Sequence, residues 1–86
     1  MYKVVLVEDE DILRKGIKHS VPWEQYLCVV VGEARNGVEG KELILSLSPD
    51  IVITDINMPV MDGLQMIAET KDRSYATIIL TGYSEF

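Results

Sequence analysis

Four short apolar runs, separated by amphipathic stretches, constrain this chain more than any other feature. "YKVVLV" at residues 2–7, "LCVVVGEA" at 27–34, "IVIT" at 51–54 and "TIIL" at 77–80 are rich in β-branched side chains. Near-continuous runs of this kind read as strands buried on both faces. Between them, "DILRKGIKHS" (11–20), "VEGKELILSL" (38–47) and "LQMIAETK" (64–71) mix apolar and polar positions and read as helices. Pro22, the "RNG" turn, Pro49 in "SPD" and the loop "MPVMDG" punctuate the pattern. Strand–helix alternation predicts a parallel sheet with helices packed on its faces. A chain of 86 residues suffices for one such domain. In open sheets of this class, ligands bind beyond the carboxyl ends of the strands.

Those strand ends carry acids. Glu8, Asp9, Glu10 and Asp11 follow the first run, Asp55 follows the third, and Thr81 with Gly82 follows the fourth. If the first and third strands are neighbours, Glu8, Asp9 and Asp55 converge on one crevice. Three like charges in a half-buried site raise one another's pKa unless something neutralises them. A hard divalent cation does so, and Mg²⁺ takes oxygen ligands of this kind. Glu10 and Asp11 are expected instead to start the first helix, where acids complement the macrodipole. Asp55 stands directly after a buried run with no basic residue near it in sequence.

Charge narrows the partners. The formal net charge is −6, from 8 basic and 14 acidic residues. Phosphate backbones need a basic patch, so nucleic-acid binding by this domain alone is not expected. A bound cation or a basic partner fits better. No stretch approaches the roughly 20 apolar residues of a membrane span, and "MYKVVLVEDE" offers no signal-peptide cleavage site. The single cysteine, Cys28, lies in an apolar run. It reads as a buried small hydrophobe and suits a reducing cytoplasm. His19 reads as a solvent-facing helical residue, and Met58, Met61 and Met66 as packing residues. Gly37 reads as part of the turn before the second helix. Tyr83 either gates Asp55 or covers the fourth strand's end.

At this point the motifs carry a resemblance. "VVLVEDE", "PDIVITDINMPVMDG" and "IILTGYSEF", in this order and spacing, resemble the receiver domain of two-component response regulators. The resemblance implies a flavodoxin-like doubly wound sheet. It implies Asp55 as phosphoacceptor, and Glu8, Asp9, Asp55 and the main-chain carbonyl of Asn57 as Mg²⁺ ligands. Thr81 is the implied hydroxyl that bonds the phosphoryl group, and Pro59 and Gly63 shape the loop after Asp55. The implied donor is a phosphohistidine of a sensor histidine kinase. The implied role is a switch controlling a DNA-binding output domain, with no catalysis beyond phosphorylation of Asp55 itself. "RKGIKHSVPWEQYLCVVVGEARNG", with Trp23, and "GYSEF" are similar to receivers preceding AraC-type helix-turn-helix domains.

Receivers of this type continue into a fifth strand carrying a lysine and then a fifth helix. The chain stops at Phe86 before both, so residues 1–86 read as a C-terminally truncated receiver with strand order 2-1-3-4. "TIIL" would then be an apolar sheet edge, and such edges pair with other chains. The expectation is an oligomer through the fourth strand, or else a longer protein. Two other functions compete. A Mg²⁺-dependent aspartyl-phosphate phosphatase would resemble D-x-D-x-T after the first strand, which is not the pattern here. The other is an interaction fragment that takes no phosphoryl group.

Overall fold

The computed structural model describes residues 1–80. The chain runs β1 (Tyr2–Val7), α1 (Asp11–Ser20), a 3₁₀ turn (Trp23–Tyr26), β2 (Cys28–Ala34), α2 (Gly37–Leu47), β3 (Ile51–Asp55), α3 (Gly63–Glu69) and β4 (Ala76–Leu80). The alternation expected from the sequence is present throughout. The strands form one parallel sheet in the order β2-β1-β3-β4, the flavodoxin-like arrangement. Thr81 and Tyr83 lie outside the described residues.

Alternation along β1 explains why the core has two sides. Val5 and Val7 pack with Ile44 of α2, Met66 of α3 and Val52 of β3. Val4 and Leu6 point the other way, with Cys28 and Ile53, and Ile17 of α1 closes over them. Fully burying each such side chain stabilises by about 1.5–3 kcal/mol. Cys28 is buried as expected, and its thiol donates to the Tyr26 carbonyl at 3.4 Å. Met66 is fully buried, Met58 and Met61 pack against the same cluster, and His19 is exposed.

Glu10 and Asp11 start α1 as expected, but the cap itself and the role of Gly37 differ from the sequence reading. Glu10 occupies the N-cap position of α1, but its side chain caps nothing. The Glu10 N–H donates instead to Glu8 Oε2 at 3.0 Å. Gly37 is the first residue of α2, and no glycine among the described residues has positive φ. Asn36 makes the cap, its Oδ1 accepting the Glu39 N–H at 2.9 Å. Gly37 is needed for a different reason: a Cβ there would come within 2.5 Å of the Met61 carbonyl oxygen. The loop after β3 therefore seats directly on the start of α2, with the Gly37 N–H donating to Met61 O at 2.8 Å.

The α1 helix presents less of its apolar side to the sheet than its sequence suggests. Ile12 is 89% exposed and Leu13 is also exposed, while Ile17 packs inward. Among the described residues β4 pairs with β3 alone, and Ile78 on it is half exposed.

Candidate functional site

The parallel pairing of β1 with β3 decides where the acids meet. Val7, the last residue of β1, pairs with Thr54, and Asp55 ends β3 one residue later. The chain leaves both strands at the same edge of the sheet, so residues 8 and 9 arrive beside residue 55. Carboxylate oxygens of Glu8, Asp9 and Asp55 lie within 4.8 Å of one another. Of the five site residues expected from sequence, these three come together. Asn57 lies exposed in the loop that follows Asp55, and Thr81 is outside the described residues.

The three acids differ in setting. Glu8 is 2% exposed, Asp55 is half-buried, and Asp9 is exposed. Glu8 Oε2 accepts the Glu10 N–H, but Glu8 Oε1 is buried with no hydrogen-bond partner among the described residues. Burial pushes the Glu8 carboxyl up to about 7, against the pull of the Glu10 N–H, and the neighbouring Asp9 and Asp55 push it the same way. A buried carboxylate oxygen without a partner is unfavourable unless a cation or donor meets it. Among the described residues no salt bridge reaches Glu8, Asp9 or Asp55. An all-oxygen set with one orphaned buried oxygen is the donor chemistry that suits a hard divalent cation.

Asp55 is held from its main-chain side. Thr54 Oγ1 donates to the Asp55 carbonyl at 2.8 Å, and Asp55 Oδ1 accepts the Ile56 N–H at 2.6 Å. Gly63 lies against the same carbonyl and donates its N–H to Ile56 O at 2.8 Å. Asp62 caps α3, its Oδ1 accepting the Gln65 N–H at 2.8 Å. Between these anchors, the Met61 N–H donates to Pro59 O at 2.8 Å across Val60, whose φ is 71°. The "MPVMDG" stretch is thus a tight, doubly anchored turn.

Sequence reasoning missed Arg14. Its guanidinium is buried in α1, donating to Glu8 O at 2.8 Å, Asp11 Oδ1 at 2.7 Å and Glu33 Oε1 at 3.2 Å. Glu33 Oε2 also accepts from Lys18 Nζ at 2.7 Å. The available signal was the i,i+3 spacing of Asp11 and Arg14, which places opposite charges on one helix face. Asp11, expected as a helix-start acid, is also this arginine's partner, which holds its carboxyl below the usual range.

The chain matches known proteins along its length. The sequence profile described as the response regulator receiver domain covers residues 4–86. An uncharacterized response regulatory protein of Staphylococcus epidermidis is 43% identical over 86 residues, covering 100% of this chain and 34% of that protein. The transcriptional regulatory protein HptR of Staphylococcus aureus is 38% identical over 86 residues, with the same two coverages. Among solved structures, the REC domain of AraT, a response regulator from Geobacillus stearothermophilus, superposes with a TM-score of 0.91 at 38% identity. That match covers 99% of this chain and 67% of the AraT chain. The chain therefore belongs to the response regulator receiver domain family. It spans about a third of the length of these two relatives. Among the described residues, no helix is long and apolar enough to cross a membrane.

Proposed function

We propose that this chain is a phosphoacceptor domain whose Asp55 carboxylate takes a phosphoryl group from a phosphohistidine of a sensor histidine kinase. The observation that carries this reading is the convergence of Glu8, Asp9 and Asp55 at the carboxyl ends of paired strands. An Asp55 oxygen attacks phosphorus, the phosphorus–nitrogen bond breaks, and the imidazole leaves with the electron pair. Such transfers demand mainly positioning and charge neutralisation. The carboxylates of Glu8, Asp9 and Asp55, with the main-chain carbonyl of Asn57, would hold Mg²⁺, which supplies the neutralising charge. Thr81 would donate its hydroxyl to a phosphoryl oxygen.

The loop geometry supports a signalling role over a turnover catalyst. Asp55 connects through "MPVMDG" to Gly37 on α2 and to the cap of α3. Added charge at Asp55 would bear on a turn already bonded to both helices, and local events of this kind bias two-state elements. HptR is a transcriptional regulatory protein, which supports an output that controls transcription, through a DNA-binding domain elsewhere in a longer cytoplasmic protein. In this reading residues 1–86 supply the switch and carry no nucleic-acid contact, consistent with the net charge of −6.

Incubation with acetyl phosphate and Mg²⁺, followed by intact mass, tests the reading. Wild type should gain one phosphoryl group and Asp55→Asn none. An adduct of equal yield in both would contradict it.

A further inference from the structure

Arg14 lies 7% exposed beside the acidic site, yet it neutralises none of the site's three carboxylates. Its charge is matched elsewhere. Arg14 and Lys18 face Asp11 and Glu33, two cations against two acids. A buried guanidinium paired in this way is satisfied, and it keeps its proton at any working pH. The remaining bond is the informative one. Nη1 donates to the carbonyl of Glu8, in a buried contact at 2.8 Å. That carbonyl belongs to the peptide joining Glu8 to Asp9.

The backbone of Glu8 is therefore pinned on both sides. Its N–H donates to Ala34 O at 2.9 Å, extending the β1–β2 ladder by one residue. Its carbonyl is held by α1 through Arg14. With both peptide planes fixed, the directions in which Glu8 and Asp9 project their carboxylates are fixed as well. Arg14 is in turn braced by Glu33 on β2, and Glu33 by Lys18, whose own carbonyl accepts the Trp23 indole N–H at 2.9 Å. The brace reaches from the 3₁₀ turn to the acidic pair through bonded groups.

We propose that Arg14 is a positioning residue for the acidic site: by holding the Glu8–Asp9 peptide it aims both carboxylates toward Asp55 without discharging them. This rests on the reading of that trio as the Mg²⁺ site of a phosphoacceptor domain. Outer partners that orient ligands contribute strongly to metal affinity, and their loss typically weakens binding about 10–100-fold.

The test compares Arg14→Met with Glu33→Gln in the full chain, using Mg²⁺ alone as the probe. Both variants lose an ion pair and should unfold at lower denaturant. Only Arg14→Met releases the Glu8 carbonyl. Binding is read by NMR titration of the backbone amides of residues 8–11, with Glu8→Gln as the control for ligand loss. Arg14→Met should weaken Mg²⁺ binding about tenfold or more, and Glu33→Gln by less than about threefold. Arg14→Lys keeps the charge but replaces the fork with a single point donor. It should fall between wild type and Arg14→Met, and it decides the matter if Arg14→Met does not fold. Binding in the folded Arg14 variants within about twofold of wild type overturns the proposal and leaves the phosphoacceptor reading intact. Equal loss in Glu33→Gln and Arg14→Met also overturns it, because that outcome assigns the effect to general stability. No Mg²⁺ binding by wild type overturns both.

Discussion

Gly63 packs against the main-chain carbonyl of Asp55 so closely that a methyl group on its α-carbon would overlap the carbonyl oxygen. The same methyl would stand 3.1 Å from Thr54 Oγ1. Neither neighbour can move freely: Thr54 is fully buried, and Asp55 ends a paired strand. The glycine is required here by close approach and not by backbone conformation. Gly63→Ala should destabilise the fold by about 2 kcal/mol or more, since overpacking against backbone forces a shift. Gly16, in the middle of α1, has nothing within 4 Å of an added Cβ. Gly16→Ala should stabilise by about 0.5–1 kcal/mol. Urea unfolding of the two variants beside wild type reads both effects. A neutral Gly63→Ala would mean that the loop after Asp55 is not tightly seated.

Val60 is an exposed β-branched residue at φ 71°, bridged by the Met61 N–H to Pro59 O bond. A central residue at positive φ in a three-residue turn is strained for a β-branched side chain. Val60→Gly should therefore raise stability, by up to about 1 kcal/mol, because relief of strain exceeds the added freedom of the unfolded chain. The denaturation midpoint of the variant checks it. A fall in stability would show that the turn is relaxed with valine in place.

Glu8 makes the metal-free fold pH-dependent with a definite sign. Its folded-state carboxyl sits at about 7 against an ordinary value of 4.5, with burial as the main cause. The folded chain therefore holds this proton more tightly than the unfolded chain does. The stabilisation is fully present below pH 4.5 and is lost as pH rises through about 7. Glu33 acts oppositely: Lys18, and then Arg14, hold it below its ordinary value, so its contribution is lost as pH falls. Without divalent cation, wild type should lose on the order of 2 kcal/mol between pH 5 and pH 8 by the Glu8 effect. Glu8→Gln should flatten that slope, and Mg²⁺ should stabilise wild type more at pH 8 than at pH 5. Guanidinium melts across this range, with and without Mg²⁺, give the comparison.

Much of this architecture was legible in the residues. β1 and β3 are buried on both faces, so their apolar character is nearly unbroken, and the acids at their ends stand out against it. The trio Glu8, Asp9 and Asp55 followed once those strands were taken as neighbours. Other features were not legible, for a common physical reason. The burial of Arg14 depends on Glu33, on a different element, and on a main-chain carbonyl that no side-chain pattern reports. The burial of Glu8 Oε1 without a partner among the described residues depends on three-dimensional packing at the strand ends, which a run of four acids does not report. Gly37 looked like a turn glycine because its neighbours favour turns, whereas its role is contact with Met61, far along the chain. Ile12 and Leu13 fit an amphipathic helix, but helical periodicity does not say what, if anything, covers the apolar side.

Asp55 is proposed above as the residue that accepts the phosphoryl group. Borohydride reduction after treatment with acetyl phosphate and Mg²⁺ tests it most directly, because an aspartyl phosphate is reduced to homoserine at the site of attachment. Peptide sequencing by mass spectrometry then reads the position. Homoserine is expected at position 55, dependent on Mg²⁺ and sharply reduced in Glu8→Gln and Asp9→Asn. Homoserine at Asp9, or phosphate retained on a hydroxyl with Asp55 unchanged, would contradict it.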